Sequence, residues 1–444
     1  MNTPVASGAA SGGRSNGSRR SRASHAASHL SSASDEAATS LLPGLLSATL
    51  GASPLALGII EGVASAVDGA ARLGGGALSE EPRRRPLISA GSYTTMAALT
   101  GLIALATSAL QVGLLRAGAS AARGLRSPQR YAEVPQHVGS QDYGRAFGVE
   151  RGVHNLVAVA GPLLAFVALT MLGTRPAILV TIVPGVVAVV IGIWLVRTAP
   201  PAPPRAARPL RLRLRAVYRG RLGTLMTGIT MFEVANFAAV LLILRATKLL
   251  ERRDVPFGAT AMAVLLYLFW RLAAAASSVL AGRMIDRRGH APVMSAGILL
   301  LLAAYAGFAF VDGTVPQLFV CFLGAGAASG AIDVAEHVGV ARLAASDLRW
   351  SALGSLSAVR SAGRLVATVG ATAVWTALGP QWGLLLASPF MLGAAAVMAF
   401  GEAGPDFASL SRRVRPVVMP IVVVLLVLAA VVLLLASGAL RIYR

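Results

Sequence analysis

Lysine and cysteine are nearly absent from this sequence. Among its 40 basic residues Lys248 is the only lysine, and Cys321 is the only cysteine. A single thiol excludes a disulfide within the chain and any metal site built from several cysteines. The six histidines show no ligand spacing, and no phosphate-cradling Gly-Lys-Ser/Thr loop occurs. We therefore expect no metal, no cofactor and no ATP-driven pump. With no legible nucleophile, base or metal cluster, an enzyme is not expected either.

Charge is also scarce. Only 13% of the 444 residues are charged, against about 25% in a soluble domain, while 55% are hydrophobic and the mean hydropathy is +0.68. A water-soluble core could not hide this much apolar surface. The clearest single run, residues 417–436, has no charge over a length that matches the ~30 Å hydrocarbon thickness. Because backbone groups in lipid must be hydrogen-bonded internally, we predict an all-α polytopic membrane protein.

Thirteen stretches are predicted to form membrane helices. They lie at about 29–50, 53–78, 87–107, 109–122, 146–172, 176–197, 222–247, 258–282, 290–311, 315–341, 352–378, 382–401 and 417–438. The arginines fall almost entirely in every second gap, so the positive-inside rule places those gaps and the amino terminus in the cytoplasm. The formal net charge of +21 would suggest nucleic acid in a soluble protein. No aromatic residues interleave with these arginines, so we expect contact with membrane lipid and none with nucleic acid.

Composition shifts divide the chain into segments. The predicted order is a disordered cytoplasmic tail (1–28), a six-helix bundle (29–199), a basic Pro/Arg-rich cytoplasmic linker (200–221), a second six-helix bundle (222–402), a short linker (403–416) and an additional membrane helix (417–438). The tail is rich in Ser, Ala, Gly and Arg, a composition that cannot bury enough apolar surface to order itself.

The gap after the second helix of each half carries related residues. They are Gly282, Asp286, Arg287 and Gly289 in the second half, and Gly76, Glu80 and Arg83 in the first. A small residue lets two helices approach, an acid near a helix end finds an arginine or a helix amino terminus, and a turn glycine lets the chain reverse. The second copy resembles the loop motif Gly-x-x-x-Asp-Arg-x-Gly of the major facilitator superfamily, a gating motif, and the first copy departs from it.

The resemblance covers about residues 30–402 and extends to an uncharacterised bacterial branch of that family. It implies a secondary transporter of the bacterial inner membrane, with two six-helix halves that rock around a central small-molecule site. We expect coupling to protons. Gly161 and Pro162 resemble part of an antiporter motif, with Val157 in place of its first glycine, and this slightly favours export. The thirteenth helix exceeds the usual twelve of the family and is predicted to be an anchor or a partner surface.

Charges inside membrane helices are costly and usually functional, so they are the candidate coupling residues. Glu61 and Asp68 share one face of the second helix, and Asp333 and Glu336 share one face of the tenth. Each pair is able to carry a proton. A structural salt bridge that orders the bundle is the alternative for each set.

Depth along the helices suggests further partners. Counting from the helix ends places Glu233 and Arg271 both near mid-membrane, where we predict an ion pair. Arg360 and Arg364 are one turn apart and are expected to face the acids of the tenth helix. Asn236 is a candidate for a hydrogen bond to substrate, with helix–helix contact as the favoured alternative.

Two further acids, Asp35 and Glu36 near the start of the first helix, are predicted to be more exposed. Two functions remain open: a proton-coupled small-molecule transporter, or a transport-inactive scaffold or sensor built on the same fold. An unpaired acid lining a water-accessible cavity favours the first, and a closed apolar centre favours the second.

Overall fold

The computed structural model describes residues 9–78, 84–126, 139–198, 214–345 and 348–400, and every regular element in these ranges is helical. This confirms the all-α prediction. In chain order the first eight helices, here called the first half, are α1 (Ala9–Gly44), α2 (Pro54–Leu78), α3 (Arg84–Ile103), α4 (Ala109–Arg126), α5 (Tyr143–Ala158), α6 (Ala160–Leu172), α7 (Thr174–Val180) and α8 (Ile182–Arg197).

The remaining helices form the second half. They are α9 (Leu214–Val217), α10 (Gly220–Glu233), α11 (Val240–Leu250), α12 (Ala259–Arg288), α13 (His290–Phe310), α14 (Val315–Leu343), α15 (Arg349–Leu378), α16 (Pro380–Leu385) and α17 (Ser388–Phe400). The predicted additional helix at 417–438 and both predicted linkers, apart from the last residues of the first one, lie outside the described residues.

Seven helical stretches of the described chain are long and apolar enough to cross a membrane. They are Pro54–Arg72, Tyr143–Leu172, Thr174–Arg197, Ala259–Arg288, His290–Phe310, Val315–Leu343 and Pro380–Phe400. Other helices, such as α1, α4 and α15, carry charged side chains that lower their hydropathy. The count of twelve helices plus one therefore stays a prediction, while a multi-pass arrangement is supported.

The prediction of a disordered tail is wrong for residues 9–28, because α1 already begins at Ala9. The side chain of Arg20 caps the carboxyl end of α8 by donating hydrogen bonds to the carbonyl oxygens of Thr198 and Leu195. Ala27 is fully buried beside Tyr93. These long-range contacts order a segment whose composition alone indicated disorder.

The predicted seventh helix is two helices with a break between them. Helix α10 ends at Glu233, and α11 starts at Val240. Within the break, the backbone N–H of Ala238 donates to Oγ1 of Thr368 on α15 at 2.9 Å, which satisfies one of the backbone groups that the break leaves free. Glu233 thus ends α10, and Asn236 lies in the break instead of in a continuous helix.

Glycines let helices of the two halves pack closely. On α5, Gly144 and Gly148 lie against Gly282 of α12, and a Cβ on Gly282 would be 2.3 Å from the carbonyl oxygen of Gly144. On α2, Gly58 and Gly69 likewise face α15 with no room for a Cβ. Two helix pairs, α5 with α12 and α2 with α15, therefore join the halves.

The second copy of the loop motif takes part in the first of these contacts. Asp286 accepts hydrogen bonds from the backbone N–H groups of Gly144 and Arg145, both at 2.8 Å, and from Arg342 at 2.6 Å. Gly289 has a φ of 88° and joins α12 to α13, a conformation that only glycine adopts without strain. Arg287 is exposed.

In the first copy of the motif, Gly76 lies in α2. Glu80 and Arg83 lie outside the described residues. The gating role of both copies therefore stays a prediction.

Replacing Gly282 by alanine should lower the unfolding temperature of the purified protein in detergent, because the added methyl group would force α5 and α12 apart. Overpacking of this kind costs about 1–3 kcal/mol. Gly91→Ala is the matched control, since nothing lies within 4 Å of its Cβ position inside α3. Alanine's better helix propensity should leave that variant at least as stable as the wild type. Equal unfolding temperatures for the two variants would contradict the close packing.

Candidate functional site

A cavity of about 650 Å³ lies between the two halves. Its lining includes eight arginines and seven carboxyl groups. These are Arg72, Arg116, Arg123, Arg126, Arg151, Arg271, Arg360 and Arg364, with Asp35, Glu36, Glu61, Asp68, Glu233, Asp333 and Glu336. All nine coupling candidates from the sequence, including Asn236, line this cavity. Because charge in an apolar interior is costly unless it is paired, the partners of each group decide what it can do.

The cavity lining runs along α1 from Ser24 to Thr39 and includes Arg126 at the end of α4. Beyond that stretch of α1, Gly44 packs against Thr260 of α12 with no room for a Cβ.

In the first half, Arg116 of α4 lies between two acids. Its side chain is 5% exposed and donates to Asp35 at 2.7 Å, to Glu61 at 2.8 Å and to Thr39 at 2.8 Å. One arginine thus ties α4 to both α1 and α2. The prediction that Asp35 is exposed is wrong, because it is a buried partner of this arginine.

Arg123, two turns further along α4, repeats the arrangement. It pairs with Asp35 and, through Nε at 3.1 Å, with Asp68 of α2. Arg72 holds the other oxygen of Asp68 at 2.8 Å. Glu61 and Asp68, which the sequence suggested as a proton-carrying pair, are therefore both bound by arginines.

Arg271 bridges the halves. It pairs with Glu36 of α1, and its Nη1 donates to Oδ1 of Asn155 on α5 at 3.3 Å. The hydroxyl of Tyr267 donates to Glu36 at 3.0 Å and accepts from Nε of Arg271 at 3.1 Å. The side chain of Glu36 is nevertheless 22% exposed, more than that of Glu61 or Asp68, as predicted. The predicted pairing of Arg271 with Glu233 is wrong, because equal depth does not place two side chains on facing sides of their helices.

Asp333 of α14 forms a second bridge between the halves. One oxygen lies 2.6 Å from Nη1 of Arg360 on α15, and the other lies 3.2 Å from Nη1 of Arg151 on α5. Nη2 of Arg151 is 2.9 Å from Nε2 of His337. Since arginine only donates, Nε2 accepts, and Nδ1 then carries the proton donated to the carbonyl oxygen of Asp333 at 2.7 Å. The ring is neutral in this arrangement.

Glu336 and Glu233 are less well satisfied. Glu336 is 0% exposed, and neither carboxylate oxygen has a hydrogen-bond partner. Its Oε2 lies 3.7 Å from Nη1 of Arg360. Glu233 is also 0% exposed; its Oε1 lies 3.4 Å from Nε of Arg360, and its Oε2 accepts from Asn236 at 3.1 Å. The expectation that Arg360 faces the acids of the tenth helix thus agrees with its contacts.

Arg364 lies one turn beyond Arg360 on α15 and is half-buried. Within the described ranges it forms no ion pair with a carboxylate. Glu233 and Glu336 lie near enough to interact with its charge without forming a close ion pair.

Sequence reasoning missed the residues that pair with the candidates. Arg116 and Arg151 were not singled out, and Arg123 was assigned to a cytoplasmic gap. The signal was present, because Arg116 and Arg151 fall inside predicted helices and intramembrane arginines need partners. Among the described residues, no group of three or more His, Cys, Asp or Glu side chains is arranged to hold a metal ion.

Arg116→Gln should destabilise the protein strongly, because it leaves Asp35 and Glu61 short of a buried counter-charge. Breaking a buried ion pair from one side typically costs about 3–5 kcal/mol. Thermal unfolding in detergent measures the effect, with Arg145→Gln, an exposed side chain of α5, as the matched control. Adding Glu61→Gln to Arg116→Gln should restore part of the loss. An unchanged unfolding temperature for Arg116→Gln would show that this network does not hold α1, α2 and α4 together.

Comparison with known proteins agrees with this architecture. Two solved structures share the fold. The nucleoside transporter NupG has a TM-score of 0.65 and is 15% identical in sequence, and the match covers 86% of this chain and 99% of NupG. The human organic anion transporter MFSD10 has a TM-score of 0.58 and is 19% identical, and the match covers 85% of this chain and 99% of MFSD10.

Relatives in sequence include an uncharacterised protein of Mycobacterium tuberculosis, 28% identical over 74% of this chain and 78% of the relative. An uncharacterised MFS-type transporter of Methanocaldococcus jannaschii is 23% identical over 77% of this chain and 84% of the relative. The family model of the Major Facilitator Superfamily matches residues 26–368. The chain therefore belongs to the Major Facilitator Superfamily, a family of membrane transporters, as the resemblance of its loop motif indicated.

Proposed function

We propose that the protein is a proton-coupled secondary transporter that moves a small molecule across the bacterial cytoplasmic membrane by alternating access. The observation that carries the proposal is the carboxyl group of Glu336, which lines the cavity, is fully buried and has no hydrogen bond to either oxygen. A buried carboxylate without hydrogen bonds is costly, and taking up a proton removes that cost. Glu336 is therefore our first candidate for the proton-carrying group.

Arg360 supplies the link between that proton and the position of the helices. Three carboxyl groups compete for it: Asp333 at 2.6 Å, Glu233 at 3.4 Å and Glu336 at 3.7 Å. When Glu336 releases its proton, its new charge attracts Arg360 and weakens the hold of Arg360 on Asp333. Because Asp333 also pairs with Arg151 of the first half, a proton on one helix changes a contact between the halves.

The remaining acidic candidates are already ion-paired, which makes them weaker candidates for carrying the proton. Glu61, Asp68 and Asp333 each hold at least one arginine. Protonating any of them would cost an existing ion pair, so we rank them after Glu336 as coupling residues. Asn236 orients Glu233 through its hydrogen bond.

The charge rule gives the orientation. The distribution of arginines predicts a cytoplasmic amino terminus. Export is proposed only from the resemblance of Gly161 and Pro162 to an antiporter motif. A transport-inactive scaffold is less well supported, because an unsatisfied acid in a charged cavity is what transport requires and what a scaffold does not need.

The proposal is tested by expressing the protein in an efflux-deficient bacterium and measuring the accumulation of a broad panel of dyes and drugs, with and without a protonophore. Lower accumulation that the protonophore abolishes supports proton-driven export. Raised accumulation that the protonophore abolishes supports uptake. No change for any compound, nor for a panel of radiolabelled metabolites in vesicles, would favour the scaffold.

For any compound transported, Glu336→Gln should abolish the protonophore-sensitive component, because an amide has the same shape as a carboxyl group and cannot carry the proton. Transport into proteoliposomes with an imposed pH gradient is the measurement. The matched control is Glu251→Gln, which changes an exposed acid after α11 and should leave transport unchanged. Transport by Glu336→Gln at the wild-type rate, with the same response to the pH gradient, would eliminate Glu336 as the coupling residue.

A further inference from the structure

The cavity lining carries one more arginine than carboxyl group, and the excess charge has a definite place. Two of the lining arginines form no ion pair with an acid in the described ranges. Arg126 lies over the ring of Tyr93 at 4.6 Å and donates to Ser28 at 3.3 Å, so its guanidinium is already occupied. Arg364 forms no hydrogen bond and no close ion pair with a described residue, although Glu233 and Glu336 lie near enough to interact with its charge. Its N–H groups, on the second-half side of the cavity, are therefore not taken up by a described side chain.

The surroundings of Arg364 add a second donor. Tyr305 of α13 lies close enough to interact electrostatically with Arg364. Tyr305 lines the cavity, and its hydroxyl forms no hydrogen bond with any described residue. The hydroxyl of Tyr305 and the guanidinium of Arg364 can therefore both donate to a ligand that accepts hydrogen bonds.

An aromatic surface lies beside these donors. The ring of Phe237, in the break between α10 and α11, stacks on Tyr305 with centroids 4.1 Å apart and planes 16° from parallel. Both rings are nearly buried and line the cavity. A flat apolar body can pack against such a pair, while a charged end reaches Arg364.

We propose that the cavity binds a small organic anion with a planar apolar body, whose carboxylate pairs with Arg364 and accepts a hydrogen bond from Tyr305 while its body lies against Phe237. The inference rests on the proposed transport function for its biological role, but the binding it describes requires no proton gradient. Guanidinium is the side chain best suited to a carboxylate, because its two parallel N–H groups match the two oxygens.

The test measures ligand binding to the purified full-length protein by calorimetry at equal pH and salt. The probes are benzoate, indole-3-acetate and 2-naphthoate, each compared with its own primary amide, which has the same shape and no charge. At least one carboxylate should bind about tenfold or more tightly than its amide, as a charge-assisted hydrogen bond predicts. Equal binding of acid and amide, or no binding of any carboxylate at about 1 mM, the upper end of usual KM values, would overturn the proposal.

Variants of Arg364 and Tyr305 test whether the preference for a carboxylate over its amide arises at this site. Arg364→Gln should remove the preference for the carboxylate, Arg364→Lys should restore part of it, and Arg145→Gln, a charge change outside the cavity, should leave it unchanged. Tyr305→Phe removes only the hydroxyl and should weaken carboxylate binding several-fold, which keeps the proposal testable if Arg364→Gln does not fold. An undiminished preference in Arg364→Gln, or in both Tyr305→Phe and Arg364→Lys, contradicts it.

The outcome is separable from that of the proposed function. Selective carboxylate binding without proton-driven transport would uphold the anion site and remove the transport proposal. Proton-driven transport of neutral compounds that Arg364→Gln leaves unchanged would uphold the transport proposal and remove the anion site.

Discussion

Charge balance inside an apolar helix bundle is the constraint on which this structure depends. An ionised carboxylate or guanidinium removed from water is stable only when counter-charges and hydrogen bonds replace its hydration. Arg116 meets this requirement for Asp35 and Glu61 together, and Arg123 meets it for Asp35 and Asp68. The positions of α1, α2 and α4 relative to one another follow from these shared partners, because a shift of any of the three helices would break a buried ion pair.

Two kinds of contact join the halves, and they differ in how easily they can be exchanged. The glycine contacts, such as Gly144 with Gly282, are short-range and fit only one arrangement of the helices. The charge contacts, Glu36 with Arg271 and Asp333 with Arg151, act over longer distances, and the second pair has other charged partners nearby, Arg360 for Asp333 and Glu150 for Arg151. A rocking motion of the halves would have to open one set of glycine contacts, while the arginines can pass from one acid to another. Charge exchange is thus the step that a bound proton or substrate is able to bias.

Much of the architecture could be predicted from the sequence. Hydropathy predicted a multi-pass helical chain, and the small residue of the loop motif indicated the close contact at Gly282. The cost of intramembrane charge selected residues that all line one cavity. Which acid pairs with which arginine could not be predicted. Counting along helices gives the depth of Glu233 and Arg271 but not the direction in which each side chain points, and Glu233 lies beside Arg360 instead. The break before Val240 and the ordered start of α1 likewise depend on Thr368 and Thr198, which are distant in sequence.

We propose that one buried acid, Glu336, exchanges a proton while its neighbours remain ion-paired. Infrared difference spectroscopy of the purified protein, titrated across the physiological pH range, observes this directly because a protonated carboxyl group has a C=O stretch that a carboxylate lacks. We expect a pH-dependent carboxyl band from a buried group, and this band should be lost in Glu336→Gln and kept in Glu61→Gln. A band that persists in Glu336→Gln, or no titrating band in the wild type, would contradict it.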